Sequence, residues 1–316
     1  MTTTDPSLLT RSSCCSWPDL PHPGGLCPDN DPSPRLRQVH VEPLERSTMF
    51  GVDVTAITSP DMLNLIVNHV GSRLPLTIFH QNLHSAYLQQ RHEAVRTAYT
   101  SADVAYIDGM PFVIQGRLLG GRIDRSHRNT YLDWYDSLLT TAQELGWRVF
   151  FLGGTPDALE LGCKALTERF PDLTLAGHDG YFDASPNSAE TRRVIDQIND
   201  FGADVVLVGM GMPRQELWVA TNRRHLKVPV TVTVGAGMDY VAGLIPTPPR
   251  WMGRYGLEWA HRLVSEPRRL WHRYLVEPVY LLPVWCREIV ASRLDRSSPT
   301  DEAAAGRTGP RAVERD

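Results

Sequence analysis

The chain has 316 residues, of which 42% are hydrophobic and 22% charged, enough for one large α/β domain with an appendage. Its formal net charge of −4 excludes a globally basic nucleic-acid-binding protein, and no apolar run reaches the roughly 18 residues of a transmembrane helix. The five cysteines lack metal-ligand spacing and three lie within residues 1–45, so we expect a reduced, cytosolic protein without a disulfide framework.

Two terminal segments have the composition of disordered chain. Residues 1–45 are rich in Pro, Ser, Asp and Gly, and residues 293–316 are similarly polar. We therefore expect a disordered leader and tail around an α/β domain at 46–246 and a helical appendage at 247–292. The N-terminus lacks the basic start and apolar run of a signal peptide, so export is not expected.

Short apolar runs alternate with helix-like stretches through the predicted domain. The runs do not alternate polar with apolar residues, which is typical of strands buried on both faces of a parallel sheet. This order predicts a Rossmann-like, doubly wound α/β fold whose ligands gather at the carboxyl ends of the strands. The six predicted strands are 76–79, 103–107, 148–153, 173–177, 204–209 and 230–235.

The first two strand ends carry polar side chains. His80, Gln81 and Asn82 follow the first strand, where an amide can hydrogen-bond a ligand, although Asn there equally suits a helix cap or turn. Asp108 and Gly109 follow the second strand. A partly desolvated carboxylate suits general-base catalysis, and an Asp-Gly turn is the alternative.

Glycines and one acidic residue mark two further strand ends. Gly153 and Gly154 precede a helix whose N-terminal N–H groups could bind a phosphate, but a tight turn explains these glycines about as well. Asp239 lies among small residues after the last strand, where either a ligand or a helix could approach closely.

The run GMGMPRQELW at 209–218 is the most distinctive of the strand ends. It brings Gly211, Gln215 and Glu216 to a strand end and the first turn of a helix. Gln215 is well placed to contact a sugar or a phosphate, whereas Glu216 could merely complement the helix dipole. The combination favours a binding site.

The composition changes after residue 246. Interleaved Arg and Trp are typical of helices at a membrane interface, and arginines also bind phosphates; a solvated basic face packed by tryptophans is the alternative. Prolines at 267, 278 and 283 predict a series of short helices. The residues concerned are Arg250, Arg254, Arg262, Arg268, Arg269, Arg273, Trp251, Trp259, Trp271 and Trp285.

Over roughly residues 48–275 the chain resembles the WecG/TagA/CpsF family of bacterial glycosyltransferases. In this order and at this spacing the motifs are highly specific. They are Asn82, Asp108-Gly109, Arg128 ahead of YLDW, LGG at 152–154, FPDLTLAGHDGYF at 170–182, GMGMPRQELW, VGAGMDYVAG at 234–243 and GLEWAHRLVSEPRRLWHRY at 256–274.

The resemblance implies a metal-independent, inverting transferase that needs no cofactor. It would move a sugar from a UDP-sugar, typically UDP-N-acetylmannosamine, to a polyprenyl-diphosphate-linked sugar in wall teichoic acid, capsule or exopolysaccharide assembly. The enzyme would lie at the inner face of the membrane and contact it through 247–292, as a monomer or a homo-oligomer. The only Asp-x-Asp sequence, a frequent metal site in such enzymes, falls in the leader at 29–31.

The resemblance also assigns roles to residues. Asp108 matches the family's proposed base, Asn82 and Gln215 its donor site, and Arg128 its arginine after the Asp-Gly motif. Arg262, Arg269 and Arg273 match appendage positions suited to a diphosphate. The sequence departs from the family pattern at two positions that are expected to face the ligand. His80 stands where the family often has Thr, and residues 247–249 are Thr-Pro-Pro where the family usually has Arg-Ala-Pro before the appendage Trp. A UDP-hexose donor therefore also fits.

Two other functional classes have different sequence requirements. A nicotinamide-dependent oxidoreductase would need a dinucleotide-binding glycine fingerprint after the first strand, which is absent. A non-catalytic nucleotide-sugar-binding or scaffold protein would suit the same fold and could dispense with Asp108.

Overall fold

The computed structural model describes residues 44–249, 252 and 256–297. Within this described part of the chain, eight strands form one sheet in the order β1-β2-β4-β3-β8-β7-β5-β6, in which only the β1–β2 pair is antiparallel. The strands are β1 Glu45–Met49, β2 Val52–Ala56, β3 Leu76–Gln81, β4 Val104–Ile107, β5 Arg148–Gly153, β6 Thr174–His178, β7 Val205–Gly209 and β8 Val230–Thr233.

Helices connect the strands and form the C-terminal appendage. They are α1 Ser59–Ser72, α2 Leu83–Arg91, α3 Glu93–Thr100, α4 Met110–Leu118, α5 Tyr131–Glu144, α6 Pro156–Arg169, α7 Ala189–Phe201, α8 Arg214–Asn222, α9 Gly237–Val241, α10 Glu258–Ser265, α11 Pro267–Trp271 and α12 Glu277–Ser297. A 3₁₀ turn spans Arg125–His127, and a π-helical turn, His272–Val276, joins α11 to α12.

All six predicted strands are confirmed, as is the α/β fold with a mostly parallel sheet. Successive side chains of a strand point to opposite faces, and both faces are apolar. Val205 and Leu207 pack with α1, α5 and α6, whereas Val206 and Val208 pack with α3, α7 and α8. Helices therefore cover the sheet on both sides, and the polar residues at its strand ends share one edge.

The hairpin of β1 and β2 was not predicted. Its two-residue turn, Phe50 and Gly51, has positive φ at both positions, as a type I′ turn requires. Val52 and Val54 are buried while Asp53 between them is exposed, so a period of two was present in the sequence. The hairpin begins at Glu45, where the leader was expected to end. Residues 1–43 and 298–316 lie outside the described residues.

In the appendage, the prediction of short helices broken at each proline is wrong. Pro267 begins a helix, as proline in a first turn can, but Pro278 and Pro283 both lie within α12. Proline lacks an N–H, and the preceding π turn widens the helix so that Glu277 N–H donates to the His272 carbonyl. The expected boundary at 292/293 falls inside α12.

The appendage packs on the domain through α12. The Glu288 carboxylate accepts hydrogen bonds from the N–H groups of Phe50 (2.9 Å) and Gly51 (2.7 Å) at the hairpin turn, and from Gln115 Nε2 (2.7 Å). The Tyr87 ring of α2 lies 5.7 Å from the Tyr280 ring. These contacts attach α12 to the hairpin, to α4 and to α2.

Candidate active site

Asp108 is half-buried directly after β4, at the carboxyl edge of the sheet. Its N–H donates to the Gln81 carbonyl at 2.9 Å, so the parallel pairing with β3 fixes its backbone. Asn82 Nδ2 donates to Asp108 Oδ2 at 3.1 Å. The sheet therefore brings the predicted base and the predicted donor-site amide into contact.

Asn82 is also the N-cap of α2. Its Oδ1 accepts from the Ser85 N–H at 3.2 Å, and the Ser85 hydroxyl accepts from the Asn82 N–H at 2.8 Å. This reciprocal capping box orients the amide, because Oδ1 is held by the helix and Nδ2 faces Asp108. The helix-cap interpretation of Asn82 is correct, and contact with a ligand stays a prediction.

Arg128 approaches Asp108 from the segment that follows the 3₁₀ turn. Its Nε donates to the Asp108 carbonyl at 3.3 Å, and its guanidinium forms an ion pair with Glu258 of α10. The next residue, Asn129, donates its N–H to the Ile107 carbonyl at 2.7 Å, which anchors this segment beside β4. Glu258 was not predicted as a site residue, although it lies within the GLEW part of a recognised motif.

His80 lies at the end of β3, with Nδ1 3.2 Å from the Thr233 hydroxyl of β8. Burial lowers its pKa; Asp108 opposes that shift, while the Arg273 and Arg262 cations reinforce it. A lowered pKa keeps the imidazole neutral at neutral pH. The residue that departs from the family pattern is therefore a neutral group that can hydrogen-bond without adding charge.

Two appendage arginines face the strand ends. The Tyr240 hydroxyl accepts from Arg262 Nε at 2.6 Å, and the Arg262 guanidinium lies 5.2 Å from the centre of the Tyr240 ring. Burial disfavours the Arg262 charge, but Tyr240, Tyr274 and Asp108 outweigh burial and raise its pKa. Arg273 lies 5.8 Å from the Tyr274 ring, and its charge acts on half-buried His80. Tyr240 was not predicted, because an aromatic beside Asp239 carries no distinct signal.

Arg269 is placed differently from the other two appendage arginines. Its side chain is 65% exposed and pairs with Glu266, three residues earlier, at 2.7 Å. Asp239 is half-buried in α9; burial raises its pKa, and the Arg269 charge partly offsets that shift. The Arg269 charge thus acts on Asp239, and neither residue takes part in the hydrogen bonds described above for Asp108.

Gln81 has a structural environment. Its side chain is fully buried, Nε2 donates to the Asp53 carbonyl of β2 at 3.0 Å, and Oε1 accepts from Ser85 Oγ (2.6 Å) and Gln89 Nε2 (3.0 Å). The predicted ligand contact is thus at odds with its position, because alternate residues of a strand face opposite ways and its side chain turns toward β2 and α2.

Gln215 and Glu216 are also fully buried. Gln215 Oε1 accepts from the N–H groups of Gly211 and Gly235, each at 3.2 Å, so its amide joins the loops after β7 and β8. Gln215 Nε2 donates to Glu216 Oε1 at 2.6 Å, while Glu216 Oε2 is buried without a hydrogen-bond partner. Burial raises the Glu216 pKa to about 7.

The strand-end glycines allow close backbone approach. A Cβ on Gly153 would lie 2.3 Å from the Gly209 carbonyl oxygen, and the Gly154 N–H donates to that oxygen at 3.2 Å. The tight-turn interpretation accounts for both residues. Gly211, in contrast, has a positive φ with open space beside it, and Gly109 begins α4 against Asn82.

Across residues 44–249 and 256–297, no three His, Cys, Asp or Glu side chains gather as a metal site would require. Over the same part of the chain, none of the helices is both long enough and apolar enough to cross a membrane.

Comparison with known proteins gives one consistent result. The model of the glycosyl transferase WecG/TagA/CpsF family matches residues 47–294. A Bacillus spizizenii protein named N-acetylglucosaminyldiphosphoundecaprenol N-acetyl-beta-D-mannosaminyltransferase is 31% identical over 204 residues, covering 64% of this chain and 75% of that protein. A Staphylococcus aureus protein of the same name is 29% identical over 179 residues, 57% of this chain and 68% of its own.

Proposed function

The chain belongs to the WecG/TagA/CpsF family of glycosyltransferases, and we propose that it transfers a sugar from a UDP-sugar to a polyprenyl-diphosphate-linked sugar, with inversion and without a metal. The observation that carries this proposal is the placement of Asp108, whose carboxylate is held by Asn82 and lies within electrostatic reach of Arg262. A half-buried carboxylate beside cations suits a base next to a diphosphate leaving group.

In the proposed reaction Asp108 accepts the proton of an acceptor hydroxyl. The acceptor oxygen forms a bond to the anomeric carbon as the bond from that carbon to the UDP oxygen breaks, so attack from the opposite face inverts the centre. UDP leaves with the bonding electron pair. A positioned base of this kind contributes about 10²–10⁴-fold to the rate.

The developing charge on UDP would be stabilised by arginines. Arg128 and Arg262 are partly buried near Asp108, and the Arg273 charge acts on His80 at the same edge. Preorganised cations of this kind need no reorganisation during the reaction. The exposed Arg269 would be available to the acceptor diphosphate from the solvent side.

For the donor we propose UDP-N-acetylmannosamine or a related sugar, because the relatives are named as N-acetylmannosaminyltransferases acting on N-acetylglucosaminyldiphosphoundecaprenol. A UDP-hexose is the alternative donor, because a neutral imidazole at His80 offers the sugar different hydrogen bonds from those of the Thr that the family often has there. Either donor fits cell-surface polysaccharide, teichoic acid or exopolysaccharide synthesis.

We further propose that the appendage docks on the cytoplasmic face of the membrane. Its outer surface exposes Trp271 and an apolar stripe, defined as Leu275, Val279, Leu282, Val290 and Leu294. The stripe recurs at intervals of three, four and eight residues along one side of a continuous helix, and exposed Arg287 and Arg293 accompany it. This combination suits an interfacial helix on anionic lipid.

The decisive experiment compares wild type with Asp108→Asn, measuring UDP release in EDTA from a panel of UDP-sugars with a synthetic lipid-diphosphate-sugar acceptor. We expect acceptor-dependent release from one donor in the wild type, and a loss of about 10²–10⁴-fold in the variant with UDP affinity retained. Asp136→Asn, which breaks an exposed ion pair with Arg169, is the matched control.

The alternative is a nucleotide-sugar-binding protein that does not turn over. UDP binding without acceptor-dependent release for any donor would favour it, and normal turnover by Asp108→Asn would remove Asp108 from the role of base.

A further inference from the structure

The ion pair between Glu258 and Arg128 links the appendage to the catalytic edge. Glu258 lies in the first turn of α10, and Arg128 lies 130 residues earlier in the segment beside β4. The Glu258 side chain is 25% exposed and that of Arg128 11%, so water only partly screens the pair. Burial raises the Glu258 pKa, and the Arg128 charge opposes that shift.

Arg128 has a second contact that reaches the base. Its Nε donates to the Asp108 carbonyl at 3.3 Å, and the segment is anchored by the bond from Asn129 N–H to Ile107 O. Three residues are therefore connected in series, from Glu258 through the Arg128 guanidinium to the Asp108 backbone. Asp108, Asp133 and Arg262 are the other charged groups that face Glu258.

A largely buried guanidinium without a counter-charge is costly, and its long side chain would move toward water. The Asp108 carbonyl is a neutral partner that accepts a hydrogen bond from Arg128 Nε. The carboxylate of Glu258 supplies a counter-charge and, together with that carbonyl, restrains the guanidinium at two points. Side chains held at two points reach the accuracy of placement that catalysis requires.

We propose that Glu258 is a positioning residue, which fixes the Arg128 guanidinium and through it the backbone of Asp108 relative to the donor diphosphate. This inference rests on the proposed function, because it needs a donor diphosphate and a reaction at Asp108. Glu258 does not touch the reacting atoms. In this proposal its effect passes through Arg128, which distinguishes it from a second base, from an anion that competes with the donor and from a direct electrostatic effect on Asp108.

The test is a double-mutant cycle of Glu258→Gln and Arg128→Lys, assayed by acceptor-dependent UDP release. In the wild-type background Glu258→Gln is expected to lower kcat about tenfold and change the KM for the donor less than about twofold. In the Arg128→Lys background the same change should cost less than about twofold, since the partner it acts through is already altered. Glu258→Asp, which keeps the charge one methylene shorter, should recover part of kcat.

Three results would overturn the proposal. Glu258→Gln could turn over like wild type; it could lose the same factor in both Arg128 backgrounds; or it could bind UDP more tightly in calorimetry, which would mean that Glu258 competes with the diphosphate. Thermal unfolding checks each variant, and if Glu258→Gln does not fold, the cycle is run with Glu258→Asp. Asp136→Asn is the control for loss of an ion-paired carboxylate. A wild type without acceptor-dependent release would instead refute the proposed function.

Discussion

Asn82 shows how one side chain serves both the fold and the site. Its amide oxygen caps α2 while its amide nitrogen holds the Asp108 carboxylate. The two atoms cannot exchange roles, because the cap needs an acceptor and the carboxylate needs a donor. Folding of α2 therefore orients the proposed base, and a residue that only caps would leave Asp108 without this partner.

Asn82→Ser separates the two roles. Serine is as good an N-cap as asparagine, so the free energy of unfolding should change by less than about 1 kcal/mol. The hydrogen bond to the Asp108 carboxylate is lost, so kcat should fall about tenfold. UDP release and thermal unfolding measure both, and Ser188→Asn at the α7 N-cap is the reverse exchange away from the site. Wild-type kcat would show that the contact does not position Asp108.

For single residues, the sequence predicts which side chains lie at a strand end but not the direction in which each one points. Asp108 and Asn82 were predicted together because parallel strands end at one edge of a sheet, and the structure joins them. Gln81 lies between these candidates in sequence, yet its side chain is buried against β2 and α2. Glu258 was missed because its partner, Arg128, is distant in sequence and only the tertiary fold brings the two together.

At the scale of elements, α12 combines two opposite surfaces. Leu281 is 1% exposed and packs with the hairpin and α4, whereas its neighbour Leu282 is 45% exposed and belongs to the apolar stripe. A helix of this kind carries one apolar face for the domain and another for a partner. Because both faces are apolar, residue type alone could not predict which was buried.

The two adjacent leucines test these surfaces separately. Leu281→Ala should lower the free energy of unfolding by about 2–4 kcal/mol, because it leaves a cavity in a buried cluster. Leu282→Ala should change it by less than about 0.5 kcal/mol and weaken sedimentation with phosphatidylglycerol vesicles about fivefold. Chemical denaturation and vesicle sedimentation measure the two effects. Equal vesicle binding by Leu282→Ala and wild type would argue against the stripe as the membrane surface.

How well the sequence predicted each strand depends on how far the rest of the fold covers that strand. Five of the six predicted strands, β3, β4, β5, β7 and β8, lie inside the sheet, and they are continuous apolar runs because both of their faces are covered. The sixth, β6, is the outer strand at the far side of the sheet and is only half-buried. The β1–β2 hairpin is at the sheet edge, where Glu45, Arg46 and Asp53 are exposed. Half-polar strands beside a polar leader resemble loop, so the hairpin was missed. Pro283 led to the opposite error, since a helix end was predicted where the structure has continuous helix. Packing of α12 outweighs the helix-breaking tendency of this proline.

Over the whole molecule, one buried acid links stability to pH. Glu216 is fully buried with one unpartnered oxygen, and burial raises its pKa from 4.5 to about 7, against the opposing effects of Gln215 and Arg273. Between these values the folded protein binds more protons at this site than the unfolded chain. The contribution of Glu216 to the free energy of unfolding therefore decreases as pH rises through that interval, and it changes no further above the interval.

Glu216→Gln should remove this dependence. The variant keeps an oxygen for Gln215 and cannot ionise, so its advantage over wild type should grow between pH 4.5 and 7 to the order of 2–3 kcal/mol. Comparing the two proteins cancels titration of His80, whose lowered pKa acts with the opposite sign. Chemical denaturation across pH measures the difference, with exposed Glu168→Gln as control. A difference that does not change with pH would refute the linkage.

The hydrogen bonds from the hairpin turn to Glu288 also set an order of events during synthesis. Phe50 and its acceptor are 238 positions apart, and a ribosome adding about 5–20 residues per second needs roughly 10–50 seconds to cover that distance. Throughout this interval the first strands of the nascent chain lack the partner that completes their turn. The sheet edge at the beginning of the fold is thus finished only by a helix made at its end, which gives chaperones a long period in which to act.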